Sequence, residues 1–403
     1  MASEIRACQP GEVGLFLQTC QAAFGGRMDD ETAVRLARVL EPDRLFVVWD
    51  DGVAVGSAGS IRFDLSVPGG SVAAAAVTMV GVLPGYRRRG LFRALMSRVL
   101  VDARARGEPL SVLWSTEGDL YRQFGFGLSA LAARLDVARD RARLRDSGPA
   151  AGRVRLVDVD EAVTCFPAVY DPVRTTTPAM AARSEEWWRS FRLAERREGP
   201  PMCRALLETE GVAEAYALYR LHGSWELGVS TARLEVIEAM ALTPRATDEI
   251  WRFLFGLDLV ERVRALHLPV DHALILMARE PARLRVTLTD ALWTRLIDAR
   301  AALSARSYAG EGAVVLELAD PLCPWNEGRW LLEAGPGGAS VEPTNAAPDL
   351  ALTAEDLGSV YLGGFTFQTL LRAGRTEERR AGVAERLDAL FRTPRAPWCP
   401  EEF

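Results

Sequence analysis

The sequence predicts an α+β protein of more than one mixed-sheet domain, and three observations carry that expectation. At 403 residues the chain exceeds the roughly 250–300 at which a single hydrophobic core stops growing, so two or three domains are expected. Strand-like apolar runs alternate with stretches of helical period along its whole length. A polar, turn-rich stretch from Arg141 to Gly152, centred on Asp146-Ser147-Gly148-Pro149, has the composition of a boundary between two such regions.

In the first region, Leu45-Phe46-Val47-Val48-Trp49 and Val53-Ala54-Val55-Gly56-Ser57-Ala58 flank the turn residues Asp50-Asp51-Gly52, which predicts a hairpin. After Pro68-Gly69-Gly70, the Val- and Ala-rich stretch Ser71–Val82 reads as a buried strand ending at Pro84-Gly85. The period then changes. Phe92, Leu95, Met96 and Val99 fall at i, i+3, i+4, i+7, the stripe of a helix that starts near Gly90 and ends before Gly107. Leu110–Trp114 is the next strand. The middle region repeats the mixture, with a helical run around Ser184–Arg197, hairpin-like segments from Val212 to Leu227 and a helix from Ala246 to Leu257. Beyond it Leu292, Leu296, Ala299 and Leu303 keep a helical spacing and Ala313–Leu318 is a strand, giving a third α+β unit that ends near Leu390. The expected domains are 1–145, 146–290 and 291–403.

Composition bounds the chemistry. With 49% hydrophobic and 25% charged residues the chain is of ordinary globular type. A net charge of -6 and a pI near 5.4 give no general attraction for polyanions, so no nucleic-acid partner is expected. The six cysteines are scattered without a Cys-x-x-Cys pair, which predicts reduced thiols and a cytoplasmic setting. The N-terminus lacks the apolar core of a signal peptide, and no apolar run of about 18 residues occurs, so no membrane insertion is expected. All 48 basic residues are arginine. Without a lysine amine there is no Walker loop, no kinase-type lysine, no Schiff base and no pyridoxal phosphate site. His222, His267 and His272 have no metal-ligand spacing, so no metal is expected, and His267 and His272 read as structural.

The stretch from Val80 to Arg93 runs from a buried strand through a glycine-bearing basic turn into a helix. Backbone N–H groups at a helix N-terminus converge on an anion, the helix dipole reinforces them, and flanking arginines add charge-assisted hydrogen bonds; together these suit a pyrophosphate. Gly90 lets the backbone approach closely. Arg87-Arg88-Arg89-Gly90-Leu91-Phe92 resembles the Arg/Gln-x-x-Gly-x-Gly/Ala acyl-CoA signature of the GNAT superfamily, with Phe92 in place of the last small residue.

Over essentially its whole length the chain is similar, more narrowly, to the Eis (enhanced intracellular survival) family of GNAT N-acetyltransferases. The similarity rests on Val80–Leu91, on Ser115-Thr116-Glu117-Gly118-Asp119-Leu120-Tyr121-Arg122-Gln123-Phe124-Gly125-Phe126-Gly127, on Leu292–Leu303, on Leu357–Gly364 and on the Glu402-Phe403 terminus. The resemblance implies two GNAT-like mixed-sheet domains followed by a sterol carrier protein-like α+β domain, commonly in a homohexamer, with acetyl-CoA as co-substrate and no metal. It also implies that the C-terminal peptide returns to the active site of the first domain, where the carboxylate of Phe403 and the phenol of Tyr121 are catalytic. The prolines of Pro394-Arg395-Ala396-Pro397-Trp398-Cys399-Pro400 suit an extended tail on that path.

Amide formation from a thioester needs a neutral amine, a polarised carbonyl and a protonated leaving thiolate. On this resemblance Phe403 accepts the amine's proton, backbone groups around Met79 and Val80 hold the thioester oxygen, and Tyr121 donates to the sulfur. The expected acetyl-CoA contacts are Met79, Val80, Val82, Arg87, Arg88, Arg89, Gly90, Leu91 and Phe92; those on the acceptor side are Phe24, Arg27, Leu36, Trp114 and Glu402. Aminoglycoside-acetylating relatives line a wide pocket with acidic and aromatic side chains, whereas Ala22–Asp30 offers glycines and Arg27, and Val13 and Leu36 are aliphatic. The acceptor stays open among an aminoglycoside-like molecule, a polyamine, a natural product and a lysine side chain. The alternative is a noncatalytic acyl-CoA- or ligand-binding protein of the same fold.

Overall fold

The computed structural model describes residues 3–146, 148–195, 199–335 and 337–403. They form two compact units, and the chain visits the first more than once. That unit comprises the residues up to Ala130, Ala291–Pro394 and Glu401–Phe403; the second comprises Leu131–Asp290 and Arg395–Pro400.

The first unit opens with β1 (Glu4–Ala7), α1 (Val13–Ala23), α2 (Asp30–Ala37) and the antiparallel run β2 (Leu45–Asp50), β3 (Val53–Val67) and β4 (Gly70–Val82). Between β2 and β3, Asp51 and Gly52 both take positive φ, the two-residue turn whose twist matches the flanking strands. α3 (Leu91–Ala105) then crosses over to β5 (Leu110–Trp114), which pairs parallel with β4. Leu95, Met96, Val99 and Leu100 of α3 pack on Phe46, Val48, Ala75 and Val77, each of these side chains larger than alanine being worth ~1.5–3 kcal/mol on burial. Leu91, rather than Phe92, opens this buried stripe; Phe92 is half-buried. α4 (Asp119–Arg122) and β6 (Gly127–Leu128) complete the first pass.

The chain enters the second unit at β7 (Leu131–Ala138) and continues through β8 (Arg153–Leu156), α5 (Val159–Thr175), β9 (Met202–Thr209), β10 (Val212–His222), β11 (Ala232–Ala241), α6 (Pro244–Gly256), β12 (Val260–Leu268) and β13 (Thr287–Asp290). The sheet order is β13-β7-β12-β11-β10-β9-β8. β11 and β12 are parallel and joined by α6, which repeats the β4–α3–β5 arrangement. Arg141–Gly152, expected between domains, is a loop inside this unit: Leu144 is buried and bridges Ala278, and the Arg145 N–H donates to the Met277 carbonyl at 2.9 Å. The actual crossing takes only Ser129 and Ala130, too short to leave a compositional mark. The helical run expected at Ser184–Arg197 is a short turn, Glu185–Trp187, continued as a π-helical turn through Arg192; Arg196 and Arg197 lie outside the described residues. The π turn puts Trp187 and Trp188, neighbours in sequence, both among the buried residues.

β14 (Leu292–Leu296) returns to the first unit and inserts between β5 and β6, antiparallel to both, for the order β1-β2-β3-β4-β5-β14-β6. The spacing of Leu292 and Leu296 had the look of a helix. All five residues are buried, and a strand covered on both faces carries no period-two signature. Helix begins only at α7 (Ala299–Ser304), where the Asp298 carboxylate accepts the Ala301 N–H. A five-stranded sheet follows, with β15 (Gly312–Ala319), β16 (Gly328–Gly335), β17 (Gly338–Pro343), β18 (Leu350–Thr353), α8 (Ala354–Tyr361), α9 (Phe367–Arg372), β19 (Glu377–Glu378) and α10 (Val383–Phe391), in the order β17-β16-β15-β18-β19. α8 docks on β14 and β6 through glycines. A Cβ on Gly358 would stand 2.2 Å from the Thr294 carbonyl oxygen and one on Gly127 2.0 Å from that of Glu355. Two of the sequence motifs are therefore, at these positions, close-packing surfaces. Buried Arg295 binds both carboxylate oxygens of Asp320 at 2.6 and 2.9 Å, and Arg122 pairs with Glu355.

Candidate active site

The site begins where β4 and β5 part. Their parallel ladder covers only Ala74 opposite Leu110, Ala75 opposite Ser111 and Ala76 opposite Val112. β4 runs on through Val82, paired with β3 alone among the described residues. A register shift between Ser57 and Gly59 of β3 faces Met79, whose φ is 56° and whose carbonyl accepts the Ser57 hydroxyl at 3.0 Å. This bulge re-aims the end of β4, and leaves one edge of Val80–Val82 open to whatever lies between the strands.

At the end of β4 the turn reverses through two left-handed residues, Arg88 (φ 62°) and Gly90 (φ 80°), and Gly90 is the N-cap of α3 with no side chain over the first turn. The first N–H groups of a 15-residue helix are thus left for an anion. The three arginines before Gly90 have different fates. Arg87 donates to the carbonyls of Val82 (3.1 Å) and Ala23 (2.9 Å), tying the end of α1 to the end of β4. Arg89 pairs with Asp50 at 3.0 Å and lies over the Tyr86 ring. Arg88 is exposed and forms no ion pair or hydrogen bond among the described residues, and the same holds for Arg93, one turn into α3.

These elements enclose a cavity of about 670 Å³. Of the residues expected at the site, Phe24, Val80, Val82, Arg87, Arg88, Gly90, Leu91 and Phe92 line it; Met79, Arg89, Tyr121, Trp114, Arg27, Leu36, Glu402 and Phe403 do not. Arg93 and Glu117, which do, were missed by motif reading. Arg93 could have been found by counting three residues along the helix from Gly90. Glu117 lies inside the Ser115–Gly127 motif, but nothing in its spacing announces that it reaches the cavity. Arg27 is exposed and without a partner among the described residues, Leu36 is half-buried on α2, and Trp114 is half-buried at the end of β5.

Tyr121 lies behind Phe92. Its ring meets those of Phe92 at 5.8 Å and Phe126 at 6.2 Å, and Phe92 also meets Phe124 at 5.7 Å. The large residue in the signature's small position is the contact between the cavity wall and this tyrosine. Burial pushes the Tyr121 phenol up to about 12, so it stays protonated across the physiological range, and its hydroxyl has no partner among the described residues. The ring of Phe403 packs edge-on against Phe63 of β3, centroids 5.3 Å apart; Glu401 is buried and Glu402 exposed. His272 is held neutral, burial lowering it to about 4, while its Nδ1 accepts the Leu274 N–H.

Comparison with known proteins decides the family. An acetyltransferase (GNAT) domain model matches residues 4–129, a second acetyltransferase (GNAT) domain model residues 179–300, and a sterol carrier protein domain model residues 299–400. The chain is 33% identical over 405 residues to N-acetyltransferase Eis of Mycobacterium bovis (strain BCG / Pasteur 1173P2), covering 96% of each. It belongs to the Eis family of GNAT N-acetyltransferases. An uncharacterized N-acetyltransferase of Streptomyces avermitilis is 37% identical over 411 residues, the whole of both chains. The crystal structure of Eis1 from Mycobacterium abscessus superposes with a TM-score of 0.86 at 30% identity, covering 99% of this chain and 100% of that one. This Eis-family chain is an acyltransferase with two GNAT domains and a sterol carrier protein-like domain, and GNAT acetyltransferases use acetyl-CoA. Among the described residues no helix is long and apolar enough to cross a membrane.

Proposed function

We propose that this Eis-family enzyme transfers an acetyl group from acetyl-CoA to a primary amine by direct attack on the thioester, with the co-substrate in the cavity lined by the end of β4, the start of α3 and the Thr116–Phe124 segment. One observation carries the reading: the open end of β4 at Val80–Val82, an uncapped helix N-terminus at Gly90 and two arginines without partners among the described residues, Arg88 and Arg93, all border one cavity. That combination fits a pantetheine arm along Val80–Val82 and a pyrophosphate at the turn.

The chemistry then falls to Tyr121 and Phe403. The amine nitrogen bonds to the thioester carbonyl carbon and gives up a proton to the Phe403 carboxylate, directly or through water. Backbone groups at Met79 and Val80 hold the carbonyl oxygen. The C–S bond breaks as Tyr121 passes its phenolic proton to sulfur. The burial that raises the phenol also raises a thiol leaving beside it, so donor and acceptor shift in the same direction. The packing of Phe403 on β3, the strand that runs beside β4 in the first sheet, supports the assignment of its carboxylate.

Glu117 is the one carboxylate among the described residues that line the cavity, beside Arg87, Arg88 and Arg93. A strongly cationic, aminoglycoside-like acceptor is therefore disfavoured against a small-molecule amine of low charge or a lysine side chain. The test is free-thiol release from acetyl-CoA against a panel of aminoglycosides, polyamines, monoamines and lysine peptides, with the untagged chain and one extended past Phe403. Amine-dependent turnover, lost on extension, is expected. Measurable acetyl-CoA binding with no amine-dependent turnover across the panel would overturn the reading.

A further inference from the structure

We infer that Arg395–Pro400 is a clamp for the C-terminal carboxylate, seated in the second domain's own version of the acyl-CoA cleft, which makes Trp398, Asp271 and Arg192 positioning residues for acetyl transfer. The inference rests on the assignment of Phe403 as base.

The cleft is recognisable by topology. The parallel ladder of β11 and β12 runs from Ala232 opposite Val260 to Val236 opposite Ala265 and stops, although β11 continues to Ala241 and β12 to Leu268. The strands part just as β4 and β5 do. The turn into α6 is different, however. The Thr243 hydroxyl already accepts the Ala246 N–H at 3.0 Å, Pro244 has no N–H, and Arg245 is bound to Glu249 at 2.6 Å. The groups that would receive a pyrophosphate are consumed or missing.

The chain's own tail lies there instead. Arg395 donates to the Thr177 hydroxyl at 3.2 Å and the Ala396 N–H to the Asp271 carboxylate at 2.9 Å. The Trp398 N–H donates to the Pro178 carbonyl at 2.9 Å, and its indole N–H to the carbonyl of His267, on β12 past the parting, at 3.2 Å. Trp398 is 5% exposed, and a cavity of about 330 Å³ remains beside it, walled by Met240, Ile250 and Trp251. The Pro400 carbonyl accepts Arg192 at 3.2 Å, and Arg192 is itself held by Glu238 of β11 at 2.5 Å. Glu238 is wholly buried and also takes a bidentate Arg183 (2.8 and 2.7 Å) and the Tyr216 hydroxyl (2.5 Å). The backbone is thus fixed at Trp398 and Pro400, three residues before the last one.

Such fixing matters because a catalytic group misplaced by about 1 Å can cost ~100-fold in rate. The experiment compares Trp398→Ala, the milder exposed-site variant Asp271→Ala, a chain truncated after Pro400, and Trp398→Ala within that truncated chain. Each is checked by thermal melting and by acetyl-CoA titration. Trp398→Ala is expected to lower kcat by about tenfold or more, and Asp271→Ala by a few-fold, with acetyl-CoA affinity changed by less than about twofold. In the truncated chain the Trp398 substitution should have no further effect, because the group it positions is gone. Unchanged kcat in both substituted full chains, beside an inactive truncated chain, overturns the clamp alone. So does an equal loss from Trp398→Ala with and without the last three residues. A fully active truncated chain would instead overturn Phe403 as base, and the clamp with it.

Discussion

Arg88→Ala is expected to weaken acetyl-CoA binding by roughly 10- to 100-fold, whereas Arg89→Ala leaves it within about twofold. Arg88 borders the cavity with no partner in the described protein, so its guanidinium is available to a phosphate. Losing one or two charge-assisted hydrogen bonds costs ~1.5–3 kcal/mol, and each 1.4 kcal/mol is a factor of ten. Because no intramolecular bond is broken, the melting temperature without ligand should not move. Arg89 is committed to Asp50 at 3.0 Å and is 47% exposed, a surface pair worth ~0–1 kcal/mol. Titration calorimetry with acetyl-CoA, and with S-acetylpantetheine as the ligand lacking a pyrophosphate, reads the difference. Arg88→Ala should spare the short ligand and should lose part of its effect at high salt. Equal losses for Arg88 and Arg89, or an equal loss for the short ligand, would refute the placement of the pyrophosphate.

Other outcomes follow from the same geometry. Tyr121→Phe should lower kcat by ~10²–10⁴-fold with acetyl-CoA affinity retained, read by steady-state kinetics beside calorimetry. The buried neutral phenol also contributes stability that is whole below pH 10 and is lost as pH rises towards 12, because the unfolded chain ionises first; burial raises Tyr216, Tyr219, Tyr308 and Tyr361 as well, so melting against pH should fall less steeply in Tyr121→Phe than in the parent. Glu238→Gln leaves Arg183 and Arg192 facing a neutral amide and should cost about 3–5 kcal/mol in denaturant unfolding. Burial opposes the Glu238 charge, but the two guanidiniums outweigh it and hold the carboxyl at about 2. Its contribution is therefore present above pH 4.5 and fades as pH falls towards 2. Gly127→Ala drives a methyl into the Glu355 carbonyl and should destabilise the first unit by ~1–3 kcal/mol in thermal melts.

The turn–helix that frames the cavity was legible in the sequence because two independent signals coincide there: the switch to a 3.6 period at Leu95-Met96-Val99 and a glycine at the helix start. β14 was not, since a strand buried on both faces and a short buried helix have the same composition. Nor was the crossing at Ser129-Ala130, which is as apolar as its surroundings. Arg87, Arg88 and Arg89 are indistinguishable as letters; what separates them is the Ala23 carbonyl and the Asp50 carboxylate, brought up by folding from 64 and 39 positions away. Phe92 read as a departure from a pattern and turns out to be the contact that backs Tyr121. The seat of the tail depends on Thr177, His267 and Asp271, whose meeting with Arg395–Trp398 no local pattern announces.

β14 pairs with β5 residue for residue, Leu292 opposite Trp114 and Leu296 opposite Leu110. On a ribosome adding ~5–20 residues per second, the strand that closes this sheet emerges on the order of 10–40 s after its neighbour. For that interval the nascent first GNAT domain shows the cell an apolar, unpaired strand edge, the feature that seeds aggregation. An expression fragment that stops at Ala130 would keep that edge permanently, so a fragment that closes the first sheet has to reach at least Leu296.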